Sequence, residues 1–259
     1  MNREANQAGV ALVTGASGRI AAALARALAA AGWAVIIHHR GGKADADALV
    51  AGIRAGGGRA ATLKADLASR RQRAGVIEKA GRPFGPLTLL VNNASSFAPD
   101  AVTDLDEGLW DRHLAIHLEA PAFLARDFAA QLPGGVQGNI VNIIDSRVLH
   151  LTPAYFSYTL SKAALWQMTE TLAQSLAPRI RVNAIGPGPT LREKGRSRAA
   201  FDRSQAAAPL GYAADPGDIC EALLYLLAAR SVTGQMIAVD GGKHIDFLAA
   251  RGPTPRSRQ

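Results

Sequence analysis

A single cysteine, Cys220, stands in 259 residues, so no disulfide can close within the chain and a reducing cytosol suits it. No stretch reaches the roughly 18–20 apolar residues that a membrane span needs. The opening MNREANQAGVALVTG has no apolar core followed by a cleavage site, so no secretory signal is read there. A cytoplasmic protein with no membrane partner is expected. Acids are the scarcer charge, 21 against 29 lysines and arginines, which leaves a net of +8. Nucleic-acid binding is one meaning of such an excess. The basic residues are scattered, with no lysine-rich helix and no ladder of aromatics among cations, so no nucleic-acid partner is expected. Two basic concentrations stand apart. RGPTPRSRQ closes the chain and is expected to fray; KGRSRAAFDR, at 194–203, is expected to be a mobile loop. The polarity of 190–210 and its single aromatic, Phe201, suit mobility, and whether it closes as a lid stays open. No metal site is expected.

What is present in quantity is alternation. The apolar runs VALVTG, WAVIIHH, AATLKAD, LTLLVNN, NIVNIID, IRVNAIG and QMIAVDGG are separated by Ala/Leu-rich stretches of helical character. These runs are apolar on both faces, as in a parallel sheet covered by helices on each side. RIAAALARALAAAGW predicts a helix ended by Gly32. DPGDICEALLYLLAA predicts one begun by Asp215, with Pro216 at its first position. No linker, repeat or composition break intervenes. The expected fold is α/β, a single doubly wound Rossmann-type domain over 9–247 with a parallel seven-stranded sheet and helices on both faces. A flexible N-terminus at 1–8 and a basic, Pro-containing tail at 248–259 flank it.

The first run leads into TGASGRIAAAL. A strand, a turn of small residues and a helix present free backbone amides and a helix dipole to a phosphate. Gly15 and Gly18 are present, and Ala21 stands where tight packing wants a small side chain; alone, this also describes an ordinary tight turn. The second run ends in HHRGG, where a carboxylate for an NAD ribose is missing and Arg40 can pair with a 2′-phosphate instead. NADP(H) is therefore the expected cofactor, and its phosphates account for part of the positive charge. Asp66 and Leu67, at the end of the third run, are positioned to meet an adenine. The polar NNASSF at 92–97 belongs on the crevice or simply caps its turn.

The reacting groups are read from IIDSRVLHLTPAYFSYTLSK. Tyr158 and Lys162, four apart, share a helix face. A free phenol titrates near 10, and a fixed ammonium beside it favours the phenolate. Tyr155 has no lysine four residues on and is given no catalytic role. Asp145 ends the fifth run. It is read as a desolvated proton carrier, as an ionised acceptor for a donor-rich ring, or as a turn aspartate. Ser146 competes for any hydroxyl role.

Together these residues resemble the short-chain dehydrogenase/reductase family over nearly the whole chain. The marks are TGASGRI, Asp66, NNA at 92–94, Y-x-x-x-K at 158–162, NAIGPG at 183–188 and TGQMIAVDGG at 233–242. The resemblance implies that Tyr158 is the acid–base residue and that Lys162 binds the nicotinamide ribose. It implies that Asn93 and Ala94 approach the cofactor through the backbone, with Pro187, Gly188 and Thr190 beside the nicotinamide. Ser17, Arg19, Ile20, His39 and Ser95 complete the cofactor contacts it implies. Three departures narrow the likeness. Arg19 and Ala21 replace the last two glycines of the usual turn, Asp145 replaces the usual serine, and His117 replaces the usual asparagine. The first two, with NNASSF, resemble pteridine reductases, and the histidine resembles bacterial dihydromonapterin reductases. The implied substrate is pterin-like, held by Arg19, Ser95, Phe97, Asp145 and Tyr158. Phe97 stacks on its ring or merely packs in a loop. His117 serves a proton relay or is a bonded core histidine. A dimer or tetramer through helices within 104–131 and 153–177 is also implied, with Trp166 and Met168 either at that contact or inside the core. The competing activities are a general carbonyl reductase and a non-catalytic NADP(H)-binding regulator.

Overall fold

A computed structural model describes residues 8–16, 18–190, 197–212 and 214–245. Ser17, the tail at 248–259 and the first three residues of 194–203 lie outside them. Seven strands form: β1 (Val10–Val13), β2 (Ala34–His39), β3 (Arg59–Lys64), β4 (Leu87–Asn92), β5 (Gly138–Ile143), β6 (Ile180–Pro187) and β7 (Met236–Val239). All pair in parallel, in the order 3-2-1-4-5-6-7. The main helices are α1 (Arg19–Ala30), α2 (Lys43–Ala55), α3 (Arg70–Arg73), α4 (Val76–Gly81), α5 (Glu107–Leu114), α6 (Ala120–Gln131), α7 (Phe156–Leu176), α8 (Arg198–Ala206) and α9 (Pro216–Ala228). The doubly wound Rossmann-type fold expected from the alternation is the fold observed.

Strand periodicity divides the core into two layers. Ala11 and Val13 point to the face packed by Leu24 of α1, Leu49 of α2 and Leu223 of α9. Val10 and Leu12 point to the other, against Ile77 of α4 and Leu124 and Phe128 of α6. Trp166 and Met168 are half-buried against a small third cluster around Leu165. Helix α1 ends as its sequence predicts: Gly32 has φ +88°, its amide donates to Ala29 O, and Trp33 N donates to Leu28 O, each at 3.0 Å. Helix α9 begins on Asp215, whose carboxylate accepts from Gly217 and Asp218 amides.

Two expectations need correction. The segment expected as a loop through residue 203 is helical from Arg198, where RAAFDRSQA favours helix and an Arg198–Asp202 pair at 3.7 Å spans one turn. The third and fifth strands stop early, at Lys64 and Ile143, so Asp66 and Asp145 stand in the following loops. Each carboxylate accepts the amide two residues ahead, Ala68 at 3.1 Å and Arg147 at 2.8 Å, and that local bond draws the backbone out of the ladder.

Candidate active site

Strand order reverses between β1 and β4, so their carboxyl ends open a crevice. Gly15 turns the chain there with φ +67°, and a Cβ on it would lie 2.7 Å from Ala94 Cα. Only glycine allows both the left-handed backbone and that approach. Asn93 ties the two strands: its amide group donates to Thr14 O at 3.0 Å, and its backbone N–H donates to Thr14 Oγ1 at 2.9 Å. A cavity of about 420 Å³ follows, lined by Gly15, Gly18, Arg40, Asp66, Leu67 and Ala94. Ser95, Arg112 and Ile116 also line it. At its floor α1 begins with no side-chain cap and no acid in its first turn. A helix start of this kind presents backbone amides and the positive end of its dipole toward an anion, in contrast to capped α9. Arg19 is exposed at the first position of α1.

Of the two adjacent histidines, the structure turns His38 to this cavity and His39 away from it. The His39 ring is buried and bonds Gly41 O at 2.9 Å. Period-two alternation decides which histidine faces the turn, and its phase was not legible from HHRGG alone. His38 Nδ1 accepts from Gly15 N at 3.1 Å, so Nε2 carries the proton and donates to Ala65 O at 3.1 Å. Burial pushes this imidazole down to about 4. Because its folded value lies below its unfolded one, its stabilisation is present above pH 6.5 and is lost as pH falls toward 4. Lowering the pH from 7 to 5 should cost roughly 2 kcal/mol through His38. Urea unfolding at the two pH values, with and without His38→Gln, checks this; the variant should lose less stability between them than the natural chain.

The second cavity, about 430 Å³, is lined by Ile20, Phe97, Asp145, Ser146, Gly188 and Thr190. Pro187 ends β6 immediately before it. Gly188 is required, since a Cβ there would lie 2.5 Å from Asp240 Cβ. Tyr158 and Lys162, both buried on α7, stand behind the wall. The Tyr158 hydroxyl donates to Asp145 Oδ2 at 3.0 Å. Lys162 Nζ donates to Ile143 O at 2.8 Å and lies 5.8 Å from the centre of the tyrosine ring. The structure thus brings the three predicted groups together, but not with the electrostatics expected. The phenol is pushed well above its ordinary value, by burial first and then by the Asp145 charge. Lys162 is spent on a backbone carbonyl, and burial lowers it to about 8. In this arrangement Tyr158 is a held proton, not a phenolate.

Asp145 fills two of its sequence readings at once. Its Oδ1 caps the short turn Ser146–Leu149 through Arg147 N, while Oδ2 holds the phenol. Burial raises its pKa, opposed by the Arg147 amide and guanidinium, then Tyr158 and Lys162. Both oxygens accept hydrogen bonds, which is the arrangement of an ionised carboxylate.

His117 lies in a π-helical turn, Ala115–Glu119, between α5 and α6. Ser96 N donates to its Nε2 at 3.1 Å, so Nδ1 carries the proton and donates to Ser161 Oγ at 2.8 Å. Ser95 Oγ lies 2.9 Å from the same Nε2. Burial, Lys162 and His113 hold the imidazole neutral by lowering its pKa strongly. Both nitrogens are therefore used within the protein, as in a bonded core histidine.

Three roles were not read from the sequence. Tyr155 adopts the left-handed region, φ 59°, and its ring stacks on Phe97 at 4.5 Å with the Arg147 guanidinium 4.6 Å from its centre. One face of Phe97 is thereby taken; the ring is still 40% exposed and lines the cavity. Asp100, from a distant loop, accepts Ser157 N at 3.2 Å and the Ser157 hydroxyl, capping α7 where Tyr155 offers no cap of its own. His113, fully buried, donates through Nδ1 to Ser157 Oγ at 2.7 Å. No local pattern announces a cap supplied from 57 residues away.

A crevice at the switch point of a doubly wound sheet, beside a buried phenol and ammonium, defines the class: a Rossmann-type oxidoreductase. The family model described as enoyl-(acyl carrier protein) reductase matches residues 15–244. An uncharacterized oxidoreductase of Methylorubrum extorquens is 36% identical over 242 residues, 90% of this chain and 96% of that one. The chain belongs to the short-chain dehydrogenase/reductase family. Among solved structures, FolM alternative dihydrofolate reductase 1 from Brucella canis, complexed with NADP, is 44% identical with a TM-score of 0.90 and covers 100% of both chains. Angucycline C-6 ketoreductase LanV with bound NADP is 30% identical, with a TM-score of 0.86 over 93% of this chain and 97% of that one. Among the described residues, no helix is long and apolar enough to cross a membrane, and no cluster of His, Cys, Asp or Glu could hold a metal.

Proposed function

We propose that the protein reduces a dihydropteridine to the tetrahydro form with NADPH. The observation that carries the reading is Asp145, a carboxylate on the cavity wall that shares the Tyr158 proton at 3.0 Å where the family ordinarily has a serine. The likeness to the Brucella protein supports it. The cofactor fits the residues present: the uncapped start of α1 suits a diphosphate, Arg40 a 2′-phosphate, and Asp66 with Leu67 an adenine. When bound, NADPH supplies the hydride. The chain's own residues orient and protonate. Phe97 offers a ring face, Asp145 accepts from the ring N–H groups or exocyclic amine, and Tyr158 gives the proton to the nitrogen of the reduced C=N bond. Ser146, buried and on the same wall, favours a second reading, a carbonyl reductase in which that hydroxyl polarises a ketone.

NADPH and NADH oxidation is to be followed against dihydrobiopterin, dihydromonapterin, dihydrofolate, an acetoacetyl thioester and simple ketones. Turnover of the dihydropteridines, with NADPH favoured, is expected. Turnover confined to the thioester or ketones overturns the reading.

A further inference from the structure

Helix α7 starts on a buried hydrogen-bond array larger than a cap requires. Asp100 takes the Phe156 amide on its carbonyl at 3.3 Å and the Ser157 amide on its carboxylate at 3.2 Å, which completes the cap. The Ser157 hydroxyl goes further. Its proton is committed to Asp100 Oδ2, so its oxygen accepts from His113 Nδ1 at 2.7 Å. His113 Nε2 is then an unprotonated acceptor, fully buried, and it meets no partner among the described residues. Burial lowers the pKa of this imidazole, against Asp100 and with Lys162, which keeps it neutral. A buried acceptor left unpaired costs stability, and a leucine would fill similar space without that cost. The position of the histidine shows what accompanies the cost. Its ring meets the Tyr158 ring at 5.9 Å and 75°, and stacks on His117 at 5.5 Å. Phe97 and His117 meet the same phenol ring at 4.8 and 5.3 Å. Ser157, one residue before Tyr158, thus joins α7 to α5 and to the segment after β4 that carries Phe97.

We propose that His113, acting through Ser157 and Asp100, is a positioning residue for proton transfer: it fixes the first turn of α7 and so keeps the Tyr158 hydroxyl on Asp145. The inference rests on Tyr158 as the proton donor and holds for a dihydropteridine or a ketone alike.

His113→Leu removes the donor and the orphan acceptor together, and His113→Asn returns an N–H near the place of Nδ1. With NADPH and dihydrobiopterin, His113→Leu should lower kcat about 10–100-fold, while the Kd for NADPH stays unchanged and Tm is unchanged or higher. His113→Asn should recover most of that loss. A pH readout separates positioning from mere support. Burial raises the Asp145 pKa; the Arg147 amide and guanidinium, the Tyr158 bond and Lys162 lower it. His150, Lys243 and His244 line the same cavity and are common to every variant. Loosening the Tyr158 bond removes one lowering influence, so in His113→Leu the acid limb of kcat/KM should move to higher pH. NMR titration of the Asp145 carboxyl carbon, without substrate, should move the same way. Ser157→Ala carries the same readouts if His113→Leu does not fold. An unchanged kcat overturns the inference, as does a fall in kcat matched by a fall in Tm with the Asp145 titration unmoved; both leave the dihydropteridine reading intact. Absence of dihydrobiopterin turnover in the natural chain counts against that reading instead, and the NMR titration then decides this one.

Discussion

Asp145→Ser should lose most dihydropteridine turnover, about 10²–10⁴-fold in kcat/KM, because it deletes the charged acceptor for the ring and the partner of the phenol. Tyr158→Phe should cost a similar 10²–10⁴-fold, the usual worth of a positioned proton donor. The two losses should not add, since the groups share one hydrogen bond at 3.0 Å. Single-turnover rates with NADPH and dihydropterin, in a double-mutant cycle, give the coupling. A carbonyl reductase working through Ser146 would keep its rate in Asp145→Ser, and that outcome would remove the pterin assignment. The same carboxylate should show its cost in stability. Its folded pKa is raised by burial, so its contribution is present below the unfolded value of 3.8 and is lost as pH rises through the folded one. At pH 7 Asp145 is thus a charge the fold tolerates. Asp145→Asn, which keeps the cap on Arg147 N, should leave Tm unchanged or raise it while turnover falls. For activity the sign is opposite: the ionised form anchors the ring, so kcat/KM should fall as pH drops through the raised carboxyl pKa, and Asp145→Asn should abolish that limb.

Much of this was legible in the residues, for a physical reason. Strand runs apolar on both faces, a glycine just past a leucine-spaced helix and Asp-Pro before another are local signals, and the sheet, α1 and α9 follow them. The four-residue spacing of Tyr158 and Lys162 also survives folding, because one helix carries both. What was not legible depends on long-range geometry. The i,i+4 spacing placed an ammonium beside the phenol, but not the Ile143 carbonyl that occupies it or the Asp145 charge that holds the phenol protonated. The Phe97–Tyr155–Arg147 stack joins the segment after β4 to the connection between β5 and α7, and the cap from Asp100 crosses 57 residues. The phase of β2, which sends His38 rather than His39 to the turn, is set by its pairing with β1 and β3.

Gly15→Ala should weaken NADPH binding by about 10²–10³-fold, the equivalent of losing one or two charge-assisted bonds between backbone amides and phosphate. The cause is double. At φ +67° an alanine adopts the left-handed region at a cost of about 1–2 kcal/mol, and its Cβ would meet Ala94 Cα at 2.7 Å. The backbone of Ala94 is fixed by its own amide to Thr14 Oγ1 at 3.0 Å and cannot retreat freely. The turn must therefore move, and with it the amide that Gly15 donates to His38 and the open start of α1. Nucleotide titration by fluorescence, read beside Tm, separates the two consequences. A modest fall in Tm with a large rise in Kd is the expected pattern. An unchanged Kd would place the cofactor elsewhere and would detach Arg40, Asp66 and α1 from the role given them. Gly41→Ala is the control, because its Cβ would meet nothing within 4 Å. It lines the same cavity yet should cost less than threefold, so the effect at Gly15 is tied to the close approach and not to loss of a glycine as such.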